Sequence, residues 1–351
     1  MRITMLGTSG SGKTCFMNAM TELFVQNSIG GFKLRNKERD VQGEGNIITS
    51  TLGGSDSFER GMFPLGTNDT TVYDLELRNG VSHVVDITWL DYRGGAIVDI
   101  ARNQGEVADA MELHVALLAS DVILVFVDSA LLKLCMDKGN DLTVRRLTGA
   151  VVIEPLLEEI KEKNPDAVVF FLLSKYDSSF IDKTEAVFEE MRDYVIQKLY
   201  REHFKTKSFL SARTEVFPIG VVGFNNVETT VNPDSSITQR IKNGNDHQSI
   251  NIIKAFTSAL LCCLEKKLNQ SETDITRIAA ELELYKKNFT IIQRLMDLIF
   301  RRGRDTKKEK TLKEQLEETQ KDILNMRFFR PQLVEILNQQ GDKLFMEDKL
   351  Y

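Results

Sequence analysis

Within this 351-residue chain, Gly7-Thr8-Ser9-Gly10-Ser11-Gly12-Lys13-Thr14 reads G-x-x-x-x-G-K-T. Glycines at this spacing let the backbone curl until several N–H groups face one anion. A following helix adds the partial positive charge of its N-terminus. In that arrangement Gly7, Ser9, Gly10, Ser11, Gly12 and Cys15 line a phosphate cradle. Lys13 reaches β- and γ-phosphates as a catalytic cation, and the Thr14 hydroxyl ligates Mg²⁺. The alternative is a Gly/Ser-rich turn. The strand-like Arg2–Leu6 before the run and the apolar, helix-compatible Cys15–Phe24 after it favour the phosphate loop.

Three further stretches narrow the chemistry. Asp91-Tyr92-Arg93-Gly94 reads D-x-x-G at the end of an apolar run. Its carboxylate would hold Mg²⁺ through water, and the Gly94 N–H would meet a γ-phosphate. Asp86, on the same run, is the rival carboxylate; Asp91 is preferred because α/β ligands bind at strand ends. Ser174-Lys175-Tyr176-Asp177 follows another apolar run. The Asp177 carboxylate can accept two hydrogen bonds from the N1–H and N2–H₂ edge of guanine, which adenine does not offer, and the Lys175 stem can lie over the base. The competing role for Asp177 or Ser178 is a helix N-cap. Thr67, with Thr70 and Thr71 close by, would complete the Mg²⁺ shell when a γ-phosphate is present; strand-edge threonines are the alternative, and the three positions stay open.

The elements needed to hold these groups are legible as alternating strands and helices. Val72–Leu77 alternates apolar and polar, Asn79-Gly80 signals a hairpin turn, and the chain returns along Val84–Asp91. Asp121–Asp128 and Ala167–Leu173 are continuous apolar runs, as in parallel sheets, and Phe217–Val222 is a third strand. Helical stretches fall at 104–118, 147–163 and 183–202. Gln26–Ser57 reads as a long connection with one short helix, and Phe224–Gln248 as a surface loop. The expected fold is α/β: a doubly wound, mostly parallel P-loop sheet over residues 1–268. Residues 269–351 differ in kind. Ile275, Ile278, Leu282, Tyr285, Phe289, Ile292, Met296 and Ile299 fall at three- and four-residue spacing, and Leu312, Leu316, Thr319, Ile323 and Met326 resume it beyond Arg301–Asp305. An antiparallel helical hairpin, coiled-coil-like, and helices packed flat on the first domain are both consistent with this. Pro331 is expected to break or restart the second arm.

Composition sets outer bounds. A formal net charge of −6 gives no reason to expect nucleic-acid binding. Cys15, Cys135, Cys262 and Cys263 show no metal-ligand spacing, and reduced thiols with no signal peptide point to the cytoplasm. No apolar run is long enough to span a bilayer.

Gly7–Thr14, Thr67, Asp91–Gly94 and Ser174–Asp177, in this order, resemble a Ras-like GTPase of the translation-factor-related (TRAFAC) class. Phe63-Pro64-Leu65-Gly66-Thr67 resembles, more narrowly, bacterial double-GTPase-type domains, which are linked to multi-gene conflict or defence systems. The resemblance implies GTP and Mg²⁺ as ligands, hydrolysis to GDP and phosphate, and switch segments at 26–71 and 91–105. It also implies a last guanine contact after the sixth strand, where this chain has Gly220-Val221-Val222-Gly223, with the Val221 backbone in the contact position. Ser174 departs from the family's Asn or Thr. The larger departure is Gly95, where the family commonly places a water-orienting Gln. Slow hydrolysis is expected unless Arg60, Arg93 or the Arg102–Gln104 stretch supplies the missing group. A nucleotide-dependent switch or assembly regulator, signalling to a protein partner or a second copy through the C-terminal helices, is the expected function. A non-hydrolysing assembly module and a P-loop ATPase are the alternatives.

Overall fold

The computed structural model describes residues 1–26, 28–37, 70–92, 95–97, 108–137, 139–178, 181–182, 184–207, 215–223, 226–231, 237–242, 249–296 and 306–340. Thr67, Gly94, Arg60, Arg93, Phe63–Gly66, Arg102–Gln104 and Arg301–Asp305 lie outside the described residues.

The apolar runs build the middle of a sheet. β1 (Arg2–Leu6) pairs parallel with β5 (Val122–Asp128) on one side and with β4 (Ser82–Asp91) on the other. β6 (Val168–Ser174) and β7 (Val216–Pro218) continue it in parallel beyond β5. β3 (Thr71–Asn79) and β2 (Phe32–Asn36) add two antiparallel strands beyond β4, giving the order β2-β3-β4-β1-β5-β6-β7. β5 is buried along almost its whole length because helices cover both faces, which is why its sequence does not alternate. β2 to β4 do alternate: Leu34, Leu75, Leu77 and Ile87 are buried while Lys33, Arg35, Asp74 and Asp86 are exposed. Gly80 turns the β3–β4 hairpin with φ +57°.

Crossover helices close the layers: α1 (Lys13–Thr21), α2 (Ala108–Leu118), α3 (Ser129–Asp137), α4 (Asp141–Leu147), α5 (Ala150–Lys163), α6 (Glu185–Tyr194) and the short α7 (Arg201–Phe204). Five sequence expectations are corrected. The connection after α1 holds an unexpected strand, β2, in which Phe-Lys-Leu-Arg-Asn alternates and pairs with β3, while residues 38–57 of that connection, with the short helix expected in it, lie outside the described residues. The helix expected over 147–163 starts at Ala150, after Gly149 with its φ of +78°, and the preceding helix α4 was not expected. The strand expected over Phe217–Val222 stops at Pro218, and Gly220 bridges Ile250 instead. The surface loop expected over Phe224–Gln248 carries an antiparallel pair, β8 (Val227–Val231) and β9 (Ile237–Ile241), whose β-branched residues carried the signal. Pro331 neither breaks nor restarts the last helix.

α8 (Ile252–Met296) is continuous through residues 268 and 269, and α9 (Thr306–Gln340) contains Pro331. An interior proline costs about 3 kcal/mol, and burial of Phe329, Leu333 and Ile336 around it offsets that. By its contacts the chain divides into two units, Met1–Ala259 with the segment beginning at Ile336, and Leu260–Glu335. In the second unit Ile278 and Leu282 of α8 cluster with Leu312 and Leu316 of α9. Arg327 meets Glu272 at 2.6 Å and Arg330 meets Glu265 at 2.7 Å. Partners descend along α8 as they ascend along α9, so the two helices pair antiparallel within one chain. Ile278, Leu282, Leu312, Ile323 and Met326 of the expected seam are buried. The side chains from Tyr285 to Met296, and Ile299, lie outside the described residues.

In the first unit an aromatic cluster ties three elements together. Trp89 of β4 is 6.2 Å from Phe16 of α1 and stacks on Phe256, in the first turns of α8, at 5.8 Å and 22°. Phe24 meets Phe256 edge-on at 5.0 Å. Phe256→Ala is expected to cost about 3–5 kcal/mol, read in denaturant melts by Trp89, the sole tryptophan. Leu324→Ala, on an exposed part of α9, should stay within about 0.5 kcal/mol.

Candidate functional site

The loop between β1 and α1 lies where the sheet's strand order turns from β1 to β4 on one side and β5 on the other, the position at which open α/β sheets receive ligands. Its glycines are used in two ways. Gly10 and Gly12 have φ of +74° and +92°, left-handed values that curl the loop. Gly7 is instead hemmed in: a Cβ there would lie 2.6 Å from Ser11 Oγ and 3.0 Å from Phe126 Cβ. Gly12 is the N-cap of α1 and offers no side chain, so the first amides of the helix receive no side-chain cap from it. Ser9 and Gly10 are exposed at the loop's outer edge, and Ser11 is buried.

Lys13 folds across this loop. Its Nζ donates to Gly7 O at 2.8 Å and to Thr8 O at 3.0 Å. Burial pushes its ammonium down to about 8, while the Asp91 carboxylate acts in the opposite direction. Thr14 Oγ1 donates to Asp91 Oδ2 at 3.4 Å. Of the two β4 carboxylates, Asp91 is buried beside the loop, whereas Asp86 is exposed and accepts from Lys37 and His83. These residues fit a polyphosphate with a divalent cation: a desolvated cation whose charge an anion would stabilise, a hydroxyl and a carboxylate held together, and helix amides without a side-chain cap. Cys15 is inert, its thiol pushed up to about 12 by burial. Thr71 stands opposite Asp91 in the β3–β4 register, and the neighbouring Thr70 Oγ1 is buried with no hydrogen-bond partner among the described residues.

The second loop, after β6, is fastened to the first. Ser174 Oγ donates to Ser11 O at 2.6 Å, and Gly12 has room for a Cβ no closer than 3.5 Å to Ser174 Cβ. A serine therefore makes a side-chain tie to the phosphate loop at the position where the family has Asn or Thr. Lys175 takes a left-handed φ of +56°, and its Nζ bonds Asp128 Oδ2 at 2.6 Å. Asp128 Oδ1 also accepts from Leu131 N at the start of α3. Asp177 is buried, and its Oδ2 accepts from Val222 N at 2.9 Å. Neither Asp177 nor Ser178 caps a helix: α6 begins at Glu185 and is capped by Thr184. Val221 is buried next to the amide that does contact Asp177.

A family model described as double-GTPase 2 matches residues 1–229. The chain belongs to this family. The match takes in all seven strands of the main sheet, the phosphate loop and Ser174–Asp177. Membership identifies this double-GTPase 2 protein as a P-loop GTPase-type, GTP-binding chain on a mostly parallel α/β sheet, as expected from the sequence. Among curated proteins nothing matches. No helix among the described residues is long and apolar enough to cross a membrane.

Sequence reasoning missed four residues of this double-GTPase 2 site. Tyr92 was only an unassigned position in D-x-x-G, yet its hydroxyl reaches Gly7. Asp128 ended a strand without a role. Ser178, fully buried, shares a 2.5 Å hydrogen bond with Thr229, which docks the β8–β9 pair beside Asp177. Gly220 carried the clearest unread signal, a glycine one residue before the expected backbone contact. A Cβ at Gly220 would lie 2.7 Å from Asp177 Cβ. Gly220→Ala is expected to push the carboxylate aside and weaken GTP binding at least about tenfold, a cost of about 1.4 kcal/mol. Binding of ATP by the same variant should be unchanged, as measured by competition against a fluorescent nucleotide.

Proposed function

We propose that this double-GTPase 2 protein binds GTP·Mg²⁺ and hydrolyses it slowly to GDP and phosphate, changing the state of its C-terminal helices as it does so. The observation that carries the reading is the Ser174–Ser11 bond. It ties the loop after β6 to the phosphate loop, which supports reading the two as parts of one nucleotide site. Asp177 selects guanine through its carboxylate, and the Val222 N–H orients that carboxylate. Gly7, Ser9, Gly10, Ser11, Gly12, Cys15 and the first amides of α1 cradle the phosphates, with Lys13 on the β/γ oxygens. Thr14 and Asp91 hold Mg²⁺, with Thr67, Thr70 or Thr71 joining them when the γ-phosphate is present, and Gly94 meets that phosphate. The metal would supply neutralisation of charge on the phosphate oxygens.

In the reaction, a water oxygen bonds to the γ-phosphorus as the bond to the β-bridging oxygen breaks. Lys13 and the loop amides stabilise the charge that moves to the oxygens. Gly95 has no side chain with which to orient the water, which supports a slow intrinsic rate. An arginine brought to the site would raise that rate by roughly 10³–10⁵.

The output route is supported by the aromatic cluster. Asp91 ends the strand that carries Trp89, and Trp89 stacks on Phe256 of α8. The nucleotide domain, placed at residues 1–268, would in this way act on a helical extension over 269–351 that binds a protein partner or a second copy. The four free cysteines suit a cytoplasmic setting. Gly95 also favours a second reading, in which GTP is held without turnover and the protein serves as an assembly module.

Asp177→Ala is expected to abolish the preference for GTP over ATP while leaving phosphate-dependent binding in place, as measured by calorimetry. In single-turnover assays the wild type should release phosphate slowly. No release, with GTP bound and metal present, leaves the assembly reading standing. Chelation of the metal should weaken GTP binding, as measured by calorimetry.

A further inference from the structure

We infer that Tyr92 is a positioning residue for the phosphate loop: it fixes the Gly7 peptide and, through it, the seat of the Lys13 ammonium. This assignment rests on the reading of the site as one for GTP.

Tyr92 follows Asp91 directly and is fully buried. Its side chain crosses from the end of β4 to the end of β1. Gly7 N–H donates to Tyr92 Oη at 3.1 Å, and Oη donates to Gly7 O at 3.4 Å. The same Gly7 O accepts from Lys13 Nζ at 2.8 Å. The ring lies under that ammonium, 5.1 Å from Nζ to the centroid. Tyr92 thus meets the cation twice, by its π face directly and by its hydroxyl through the carbonyl on which the cation rests.

The tyrosine is itself held. It belongs to the buried core cluster that also holds Ala96, Ile97, Leu113 and Leu117. Gly7 cannot supply an anchor of its own, since it has no side chain and no space for one. A buried peptide with both polar groups unmet would lose about 1–3 kcal/mol per group. The Tyr92 hydroxyl meets the N–H, and Lys13 alone would be left to meet the carbonyl. Removing the hydroxyl frees the first peptide of the loop while leaving the ring in place. Removing the ring also takes away the surface beneath the ammonium.

Two variants separate these effects. Tyr92→Phe keeps the ring and loses the hydroxyl; Tyr92→Leu loses both. Each is compared with wild type for GTP and ATP affinity and for single-turnover hydrolysis, well below its own melting temperature, with the near-ultraviolet signal of Trp89 as the control for native packing. Tyr92→Phe should weaken GTP about 3- to 10-fold, the range given by one lost hydrogen bond, and should lower the single-turnover rate at saturating GTP. Tyr92→Leu should weaken it further. The ratio of GTP to ATP affinity should not change in either, because Asp177 is untouched. A merely structural role would lower the melting temperature without altering affinity or rate in the folded protein. Wild-type affinity and rate in a folded Tyr92→Phe overturn the assignment, as does a change in base preference. If Tyr92→Leu does not fold, Tyr92→Phe alone decides. Failure of the wild type to bind GTP overturns the reading of the site, and this assignment with it.

Discussion

Lys13 carries its charge in a place nearly stripped of water. An ammonium there is stabilised by two loop carbonyls and an aromatic face, and burial still drives its proton affinity down. That imbalance is the constraint around which this end of the molecule is arranged. The glycines at 10 and 12 take left-handed conformations of the kind that turn backbone N–H groups toward one anion. α1 starts without a side-chain cap, and Asp91 stands close enough to temper the charge without neutralising it. Together they describe a site that becomes electrostatically complete when an anion occupies it.

The sheet holds this arrangement in register. β1 lies between β4 and β5, so the segment that leaves it meets what both neighbours deliver: Asp91 and Tyr92 from one side, Phe126 from the other. One strand further out, β6 delivers Ser174. Three parallel strands thus place their carboxyl ends around one loop, and Ser174 ties its strand end both to that loop and to β5 through buried hydrogen bonds. The local chemistry follows from a topology in which residues 85 to 163 positions apart are brought within bonding distance.

Motifs with fixed local spacing were legible in the sequence, because their geometry is dictated by backbone conformation within a few residues. Gly7–Thr14 is of this kind, and so are the apolar runs of β5 and β6 and the Asn79-Gly80 turn. What was not legible depended on partners distant in the chain. Tyr92 reads as an apolar aromatic until Gly7 is placed beneath its hydroxyl. Gly220 reads as punctuation until Asp177 is found against it. Pro331 was misread because local propensity forecast a break, and packing of Phe329, Leu333 and Ile336 outweighed it. The β8–β9 pair was missed among Asn, Asp and Ser residues, although Val-Glu-Thr-Thr-Val and Ile-Thr-Gln-Arg-Ile are favourable strand sequences.

The left-handed backbone of Lys175 bears on timing. A lysine at φ +56° is held against its own preference by the ion pair to Asp128, while Asp177 is fixed on the Val222 amide and Ser174 on the Ser11 carbonyl. The loop after β6 is therefore held by its own side chains in the folded chain, and if it reads a base as proposed, little ordering is left for the moment of encounter. On that proposed reading, association would run close to the rate at which nucleotide arrives and orients, and differences among purines would fall chiefly on how long each one stays.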